Sequence, residues 1–194
     1  MISMFIDTSL SDVSIGLIKD GKLLSKINKS IPGKHSVYVT KYVDDILKEN
    51  KLSPKAVDEI IVVNGPGSFT GIRIGVTIAK MFAYLQNIRI VTITSLKARI
   101  IGEKANYFLS KIDAKHGNYY IGLYDHKYNT IKEKFSNTTE IEELINKYSP
   151  EVVDVNKEYN IETIIEYTKN MPRQNPHSVN PIYLKLPEAM EKKW

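Results

Sequence analysis

The chain has 194 residues, of which 42% are hydrophobic and 25% are charged, a composition typical of one globular domain with at most a small appendage. It has no cysteine, which excludes disulfide bonds, thiolate metal sites and a cysteine nucleophile. The first residues lack the basic segment of a signal peptide, and no charge-free stretch reaches membrane-spanning length, so we expect a cytoplasmic protein without membrane contact.

The first hundred residues alternate between patterns typical of strands and of helices. The predicted elements are strands over residues 3–7, 13–18, 22–29, 59–64 and 89–94, and helices over 36–49, from Gly71 onward and from a cap at Ser95 onward. Their order, β-β-β-α-β-α-β-α, indicates an α/β fold, because parallel strands are joined through helices that cover the sheet.

The second half of the chain is shorter and less strongly patterned. Strands are predicted over residues 107–113, 119–124 and 130–135, and helices over 139–148 and 161–170. From residue 171 the chain becomes rich in proline, which indicates an extended tail that docks in part through Ile182-Tyr183-Leu184. We therefore divide the chain into residues 1–104, a shortened second α/β unit over 105–170 and a partly docked tail over 171–194.

A glycine-rich turn lies between the buried strand and the long helix. The glycines permit backbone angles that other residues avoid, and Ser68 or Thr70 can cap the helix. Free N–H groups at such a helix start can hold an anion, but the spacing matches neither a Walker loop nor a dinucleotide fingerprint. An anion site and a plain tight connection both stay open. The residues of such an anion or nucleotide site would be Gly65, Gly67, Ser68 and Thr70, with Asp7, Thr8 and Ser9 from the turn after the first strand.

The helix behind the turn has a ridge of small residues at every fourth position, namely Gly71, Gly75, Ala79 and Ala83. Such a ridge lets another backbone approach closely, and large apolar side chains cover the adjoining face. A helix that is apolar around most of its circumference is buried on more than one side. We hypothesise that one side contacts a partner subunit or a second copy of the chain, and that Gly75→Leu breaks this complex while the monomer stays folded. The alternative is that the helix over residues 36–49 covers this second apolar side within the chain.

No arrangement typical of catalysis is found in the sequence. The four histidines, His35, His116, His126 and His177, include no pair at helical metal-ligand spacing. Neither a Ser-His-Asp arrangement nor a nucleophile elbow is identifiable. We therefore expect no catalytic residues and no metal site.

The run from Gly65 to Gly75, followed by Ala79-Lys80, resembles the signature of the TsaB (YeaZ) family. Further matches are Ile6-Asp7-Thr8-Ser9, His35-Ser36, Thr94-Ser95-Leu96, Ile112-Asp113-Ala114 and Pro181-Ile182-Tyr183-Leu184-Lys185. The family's tail motif ends in arginine where this chain has Lys185, and the two are not equivalent if a bidentate contact is needed.

The resemblance implies an actin/hexokinase-like (ASKHA) fold and a non-catalytic subunit. Such a subunit binds and activates its catalytic, metal-binding paralogue TsaD, and TsaE joins the pair, in making threonylcarbamoyladenosine in tRNAs that read codons beginning with A. The tRNA is reached through the complex, and a homodimer is an alternative assembly. The chain itself requires no cofactor, although ATP or ADP with Mg²⁺ could bind at the partner interface. The interface residues implied are Tyr38, Tyr42, Gly71, Arg73, Gly75, Ile78, Ala79, Lys80, Phe82 and Ala83.

Two rival functions stay open on the sequence. The first is an ATP-dependent phosphotransferase of the same fold that uses Asp7 and the glycine turn. The second is a direct tRNA-binding module, because residues 71–104 contain six basic residues against Glu103 alone.

Overall fold

The computed structural model describes residues 1–153 and 158–185, which form two β-sheets with helices on their faces. The strands are β1 (Ile2–Asp7), β2 (Asp12–Lys19), β3 (Lys22–Ser30), β4 (Glu59–Val63), β5 (Arg89–Ile93), β6 (Tyr107–Asp113), β7 (Asn118–Asp125), β8 (Thr130–Asn137) and β9 (Glu151–Val153). The helices are α1 (His35–Glu49), α2 (Phe69–Gln86), α3 (Ser95–Ala98), α4 (Thr138–Tyr148) and α5 (Ile161–Thr168). No helix within the described ranges is long and apolar enough to cross a membrane.

The first sheet has the strand order β3-β2-β1-β4-β5. The meander β1–β3 is antiparallel, as predicted, whereas β4 pairs parallel to β1 and β5 pairs parallel to β4. Helices α1 and α2 pack on one face, through a core that includes Met4, Val39 and Val76. Every residue of β4 is buried, which explains why this strand reads as a continuous apolar run and not as an alternating one.

The opposite face of the first sheet is covered by α5. Ile161 and Ile164 of this helix pack in one core with Phe5 and Ile61. The structure therefore differs from the predicted division of the chain, because α5 lies within residues 105–170 yet completes the first unit. A glycine in β2 makes room for it: a Cβ at Gly16 would lie 2.7 Å from the Ile161 side chain.

The second sheet has the order β8-β7-β6-β9. Helix α4 covers one face through Ile141, and the other face contributes Phe108 and Tyr124 to a core shared with α3. The sequence missed β9, a three-residue strand parallel to β6 that is too short to show a pattern. It also misplaced a cap, because α3 is capped by Thr94 while the Ser95 hydroxyl donates to the carbonyl of Pro66.

The tail returns to the first unit as an extended segment that is interrupted by one 3-10 turn at Pro176–Ser178. The amide of Gln174 donates to the carbonyl of Ile90 on the edge strand β5, at 3.1 Å. The amide of Ile182 donates to the carbonyl of Asn64, at 2.7 Å, beside the glycine turn. Residues 186–194 of the predicted tail lie outside the described residues.

Candidate functional site

The turn after β1 packs directly on the glycine turn and on the first turns of α2. The hydroxyl of Thr8 donates to the carbonyl of Gly71 at 2.7 Å. A Cβ added at Gly71 would lie 2.1 Å from the carbonyl oxygen of Thr8, and one at Gly67 would lie 2.1 Å from that of Ser9. The glycines are therefore explained by close packing within the chain, since any side chain would push the two turns apart.

Two backbone N–H groups at the start of α2, those of Ser68 and Gly71, have acceptors within the chain. The Ser68 amide donates to the Ser9 carbonyl at 2.6 Å, and the Gly71 amide donates to the Ser68 hydroxyl, which caps the helix. On its other side the turn contacts the tail, because a Cβ at Gly65 would lie 2.5 Å from the carbonyl oxygen of Ile182. Of the two open alternatives for this turn, the contacts favour the tight connection. Thr70, the remaining residue of the predicted site, is solvent-exposed.

Asp7 is buried, and both of its carboxylate oxygens accept hydrogen bonds from within the chain. The Ser9 amide donates to one of them at 2.7 Å, and the hydroxyl of Tyr159, just before α5, donates to the other. Burial raises the pKa of Tyr159 well above its usual value; the positive charge of Arg99, 5.0 Å from the ring, opposes this shift, and Asp7 adds to it. The neutral phenol is therefore held as a donor to Asp7.

A Mg²⁺-nucleotide is the group that this fold class implies. A metal ion bound directly to Asp7 would compete with the Tyr159 hydroxyl and the Ser9 amide for the carboxylate oxygens. Among residues 1–153 and 158–185 no cluster of acidic or histidine side chains is arranged to hold a metal. Binding of ATP or ADP at a partner interface stays a prediction.

A cleft of about 540 Å³ opens between the two sheets beside Asp7. Its walls include Tyr120 and the ion pair between Lys26 and Glu158, whose charged atoms are 3.1 Å apart. Sequence reasoning missed Tyr159 and Arg99, which come from distant segments and carry no local motif. Only the fold brings these two side chains next to Asp7.

The small-residue ridge packs inside the chain and not on its surface. Gly71, Gly75, Ala79 and Ala83 are all buried, and α2 lies with this side on the sheet. The prediction that the ridge meets a partner is therefore wrong for these four residues. A Cβ at Gly75 would lie 2.2 Å from the Thr8 hydroxyl oxygen, so Gly75→Leu would disturb the monomer instead of testing assembly.

The outward side of α2 carries exposed apolar side chains. Met81 is 55% exposed and Leu85 is 67% exposed, and on the neighbouring helix α1 Val37 is 66% exposed. We call these three residues, with the half-buried Ile74 and Ile78 of α2, the apolar crest. Tyr38 and Tyr42 on α1 stack on each other at 5.8 Å, and they and Phe82 are half-buried against the core. Of the predicted interface residues, the crest thus includes only Ile78.

The basic segment over residues 71–104 does not form a continuous solvent-facing strip. Five of its cations contact other parts of the chain. The Arg73 guanidinium lies over Phe69, Lys80 donates to the His177 carbonyl, Arg89 pairs with Glu59, Lys97 lies over Tyr124, and Arg99 contacts Ser95 and Tyr159. This distribution favours internal roles for these side chains over a nucleic-acid surface.

Two sheets, with helices on both faces of the first and a cleft between them, define an actin/hexokinase-like α/β protein. This matches the predicted fold class. The YeaZ structure from Pseudomonas aeruginosa has the same fold, with a TM-score of 0.75 at 20% identity over 94% of this chain and 99% of that chain.

The sequence comparisons name a family. A family model described as "TsaD: tRNA N6-adenosine threonylcarbamoyltransferase" matches residues 29–192. The chain therefore belongs to the TsaD family, in the branch whose curated members are named TsaB (YeaZ).

Two relatives illustrate this branch. The tRNA threonylcarbamoyladenosine biosynthesis protein TsaB of Bacillus subtilis is 33% identical over 135 residues, which cover 69% of this chain and 59% of that protein. An uncharacterized Mycoplasma genitalium protein, MG208, is 28% identical over 200 residues, 95% of each chain. This chain spans half to three-fifths of the length of the TsaB-named relatives that it matches first.

Proposed function

We propose that this chain is a non-catalytic subunit in tRNA threonylcarbamoyladenosine biosynthesis, which binds TsaD and stabilises it in an active arrangement, with TsaE joining the pair. The names of the curated relatives support the pathway. The contacts of Asp7 and of the glycine turn support the non-catalytic role, because groups that would otherwise meet a nucleotide are bonded within the chain.

The apolar crest is the observation that carries the proposal. Exposed Met81 and Leu85 continue the stripe of Ile74 and Ile78 along the outward side of α2. A contiguous exposed apolar surface on a folded protein is typical of an interaction site.

TsaD is the occupant that we propose for this crest. The chain matches the TsaD family model over most of its length, so TsaD has a helix pair homologous to α1 and α2. Two homologous surfaces can pair about an approximate two-fold axis, as identical surfaces do in isologous dimers. Pairing with a second copy of this chain would use the same geometry.

Co-purification with TsaD of the same organism tests the proposal. We expect Met81→Glu with Leu85→Glu to abolish co-elution with TsaD, because two carboxylates would be buried at the interface without partners. Ile145→Glu is the matched control, since Ile145 is an exposed apolar residue on α4 of the second unit. The control should co-elute like the wild type.

Modification of unmodified tRNA by TsaD, TsaE and the threonylcarbamoyl donor should require this chain and fail with the crest double variant. Equal modification without the chain would refute the accessory role. If the double variant lost only self-association and still co-eluted with TsaD, the crest would be a homodimer surface instead.

A further inference from the structure

The tail follows one flank of α2 from end to end. We call residues 172–185 the C-terminal strap. It begins beside β5, where Gln174 also donates through its side chain to the Thr92 hydroxyl at 3.2 Å. It ends at the glycine turn, where the Asn64 side chain donates to the carbonyl of Asn180 at 3.1 Å. The strap is thus tied to the first unit on both sides of His177 and immediately before Tyr183, the two residues that contact α2.

The strongest contact between the strap and α2 is a stack of two aromatic rings and a guanidinium. The ring of Tyr183 stacks on that of Phe69, with centroids 4.6 Å apart and planes inclined by 28°. The guanidinium of Arg73 lies 3.9 Å from the Phe69 ring centroid, and its Nε donates to the Tyr183 hydroxyl at 2.8 Å. Stacking and the hydrogen bond together fix the planar group in one orientation, which a lysine would not reproduce.

A second contact lies two turns further along the same flank. Lys80 donates to the carbonyl of His177 at 3.3 Å, and the His177 ring packs edge-on against Tyr84 with centroids 5.0 Å apart. Arg73, Lys80 and Tyr84 follow the spacing of one helix face, so the strap contacts a single stripe of α2.

We infer that the C-terminal strap is a positioning element for α2. It holds the helix against the sheet from the flank opposite to the crest residues Ile74 and Ile78, and it leaves the crest facing outward. It also occupies Arg73 and Lys80, the two cations that the sequence assigned to partner contacts. The consequence for the partner, that it contacts the crest side of α2 and not the strap side, rests on the proposed function.

Hydrogen exchange on the full chain without any partner tests the positioning role. We expect Tyr183→Ala to accelerate hydrogen exchange of the α2 amides of residues 73–80 by about tenfold or more. Without the Tyr183 ring on Phe69, local unfolding of this part of the helix costs less free energy. Tyr183→Phe keeps the ring stack and should retain most of the protection. Tyr148→Ala is the matched control, since it removes an aromatic pair with Tyr107 in the second unit.

The outcomes separate the two proposals. Wild-type exchange of residues 73–80 in Tyr183→Ala would overturn the positioning role, and so would an equal acceleration at every amide of the chain, because that reports global destabilisation. Loss of TsaD binding by the crest double variant is independent of this result. If that variant still bound TsaD, the proposal that TsaD binds the crest would be refuted, whereas the exchange result would still support the positioning role of the strap.

Discussion

Arg89 connects three parts of the first unit. Its guanidinium pairs with the buried carboxylate of Glu59 on β4, which also accepts a hydrogen bond from the Ser3 hydroxyl at 2.6 Å. It donates as well to the carbonyls of Thr168 and Met171, at 2.6 Å each. Arg89 thus satisfies carbonyl groups at and just beyond the end of α5 and attaches the helix to the sheet edge.

We expect Arg89→Met to destabilise the protein by about 3–5 kcal/mol, because it leaves the Glu59 carboxylate buried without its partner. Arg173→Met is the control: Arg173 is exposed and donates to the Asn87 side chain at 3.0 Å, so its loss should change stability by at most about 0.5 kcal/mol. The free energy of unfolding in urea measures both. Equal effects of the two substitutions would contradict the role given to Arg89.

Of the twelve tyrosines, Tyr124 and Tyr159 should resist ionisation most strongly in the folded protein. Burial raises the pKa of Tyr124 and of Tyr159 well above the usual value, and the neighbouring carboxylates Glu133 and Asp7 raise it further. A pKa that is higher in the folded than in the unfolded state contributes stability that is complete below about pH 10 and is lost as the pH rises beyond it.

An alkaline titration followed by phenolate absorbance should show a late component that appears together with unfolding. Tyr124→Phe and Tyr159→Phe should each reduce that component. If all tyrosines of the wild type ionised in one transition near pH 10 while the fold persisted, the two phenols would not be shielded as described.

At the scale of the elements, α2 is positioned in part by two glycines, Gly71 and Gly75, which let it approach Thr8 closely. Gly75→Ala should destabilise the protein by about 1–3 kcal/mol, because its Cβ would lie 2.2 Å from the Thr8 hydroxyl oxygen. In a Thr8→Ala background that oxygen is gone, so the same change should cost clearly less. Thermal unfolding of the four proteins gives this coupling. Additive effects would mean that Thr8 is not what excludes a side chain at position 75.

The elements were predictable from the sequence to the extent that periodicity and turn chemistry define them. The apolar run of β4, the meander and the capped start of α2 all have local signals. No local signal shows which way a helix turns its small residues. The spacing predicts that another group can approach Gly75 closely, but it does not predict that this group is Thr8 of the same chain. For the same reason Tyr159 could not be assigned to Asp7, which is 152 residues away.

At the scale of the whole molecule, a polar contact joins the two sheets, and others lie along the cleft. Glu133 of β8 accepts hydrogen bonds from the Thr94 hydroxyl, at 2.9 Å, and from the Tyr124 hydroxyl. Along the cleft, Tyr159 bonds to Asp7 and Glu158 pairs with Lys26. These contacts between side chains of the chain stabilise the walls of the cleft.

Calorimetry of the chain with ATP and Mg²⁺ tests this view of the cleft. We expect no binding heat that depends on Asp7, so the wild type and Asp7→Ala should give the same trace. Tyr159→Phe is a useful second variant, because it removes the hydroxyl that donates to Asp7 and leaves the Asp7 carboxylate in place. Tight binding by the wild type that disappears in Asp7→Ala would instead favour the phosphotransferase function.

The position of α5 in the chain has a consequence for synthesis. The side chains of Phe5, Ile61 and Ile93 form an apolar surface of the first sheet that stays uncovered until α5, at Ile161–Thr168, has left the ribosome. Nascent chains of intermediate length therefore expose a flat hydrophobic sheet face, the kind of surface that general chaperones bind and that promotes aggregation. Folding of the first unit should be completed only after translation has passed its last helix, although its strands are made first.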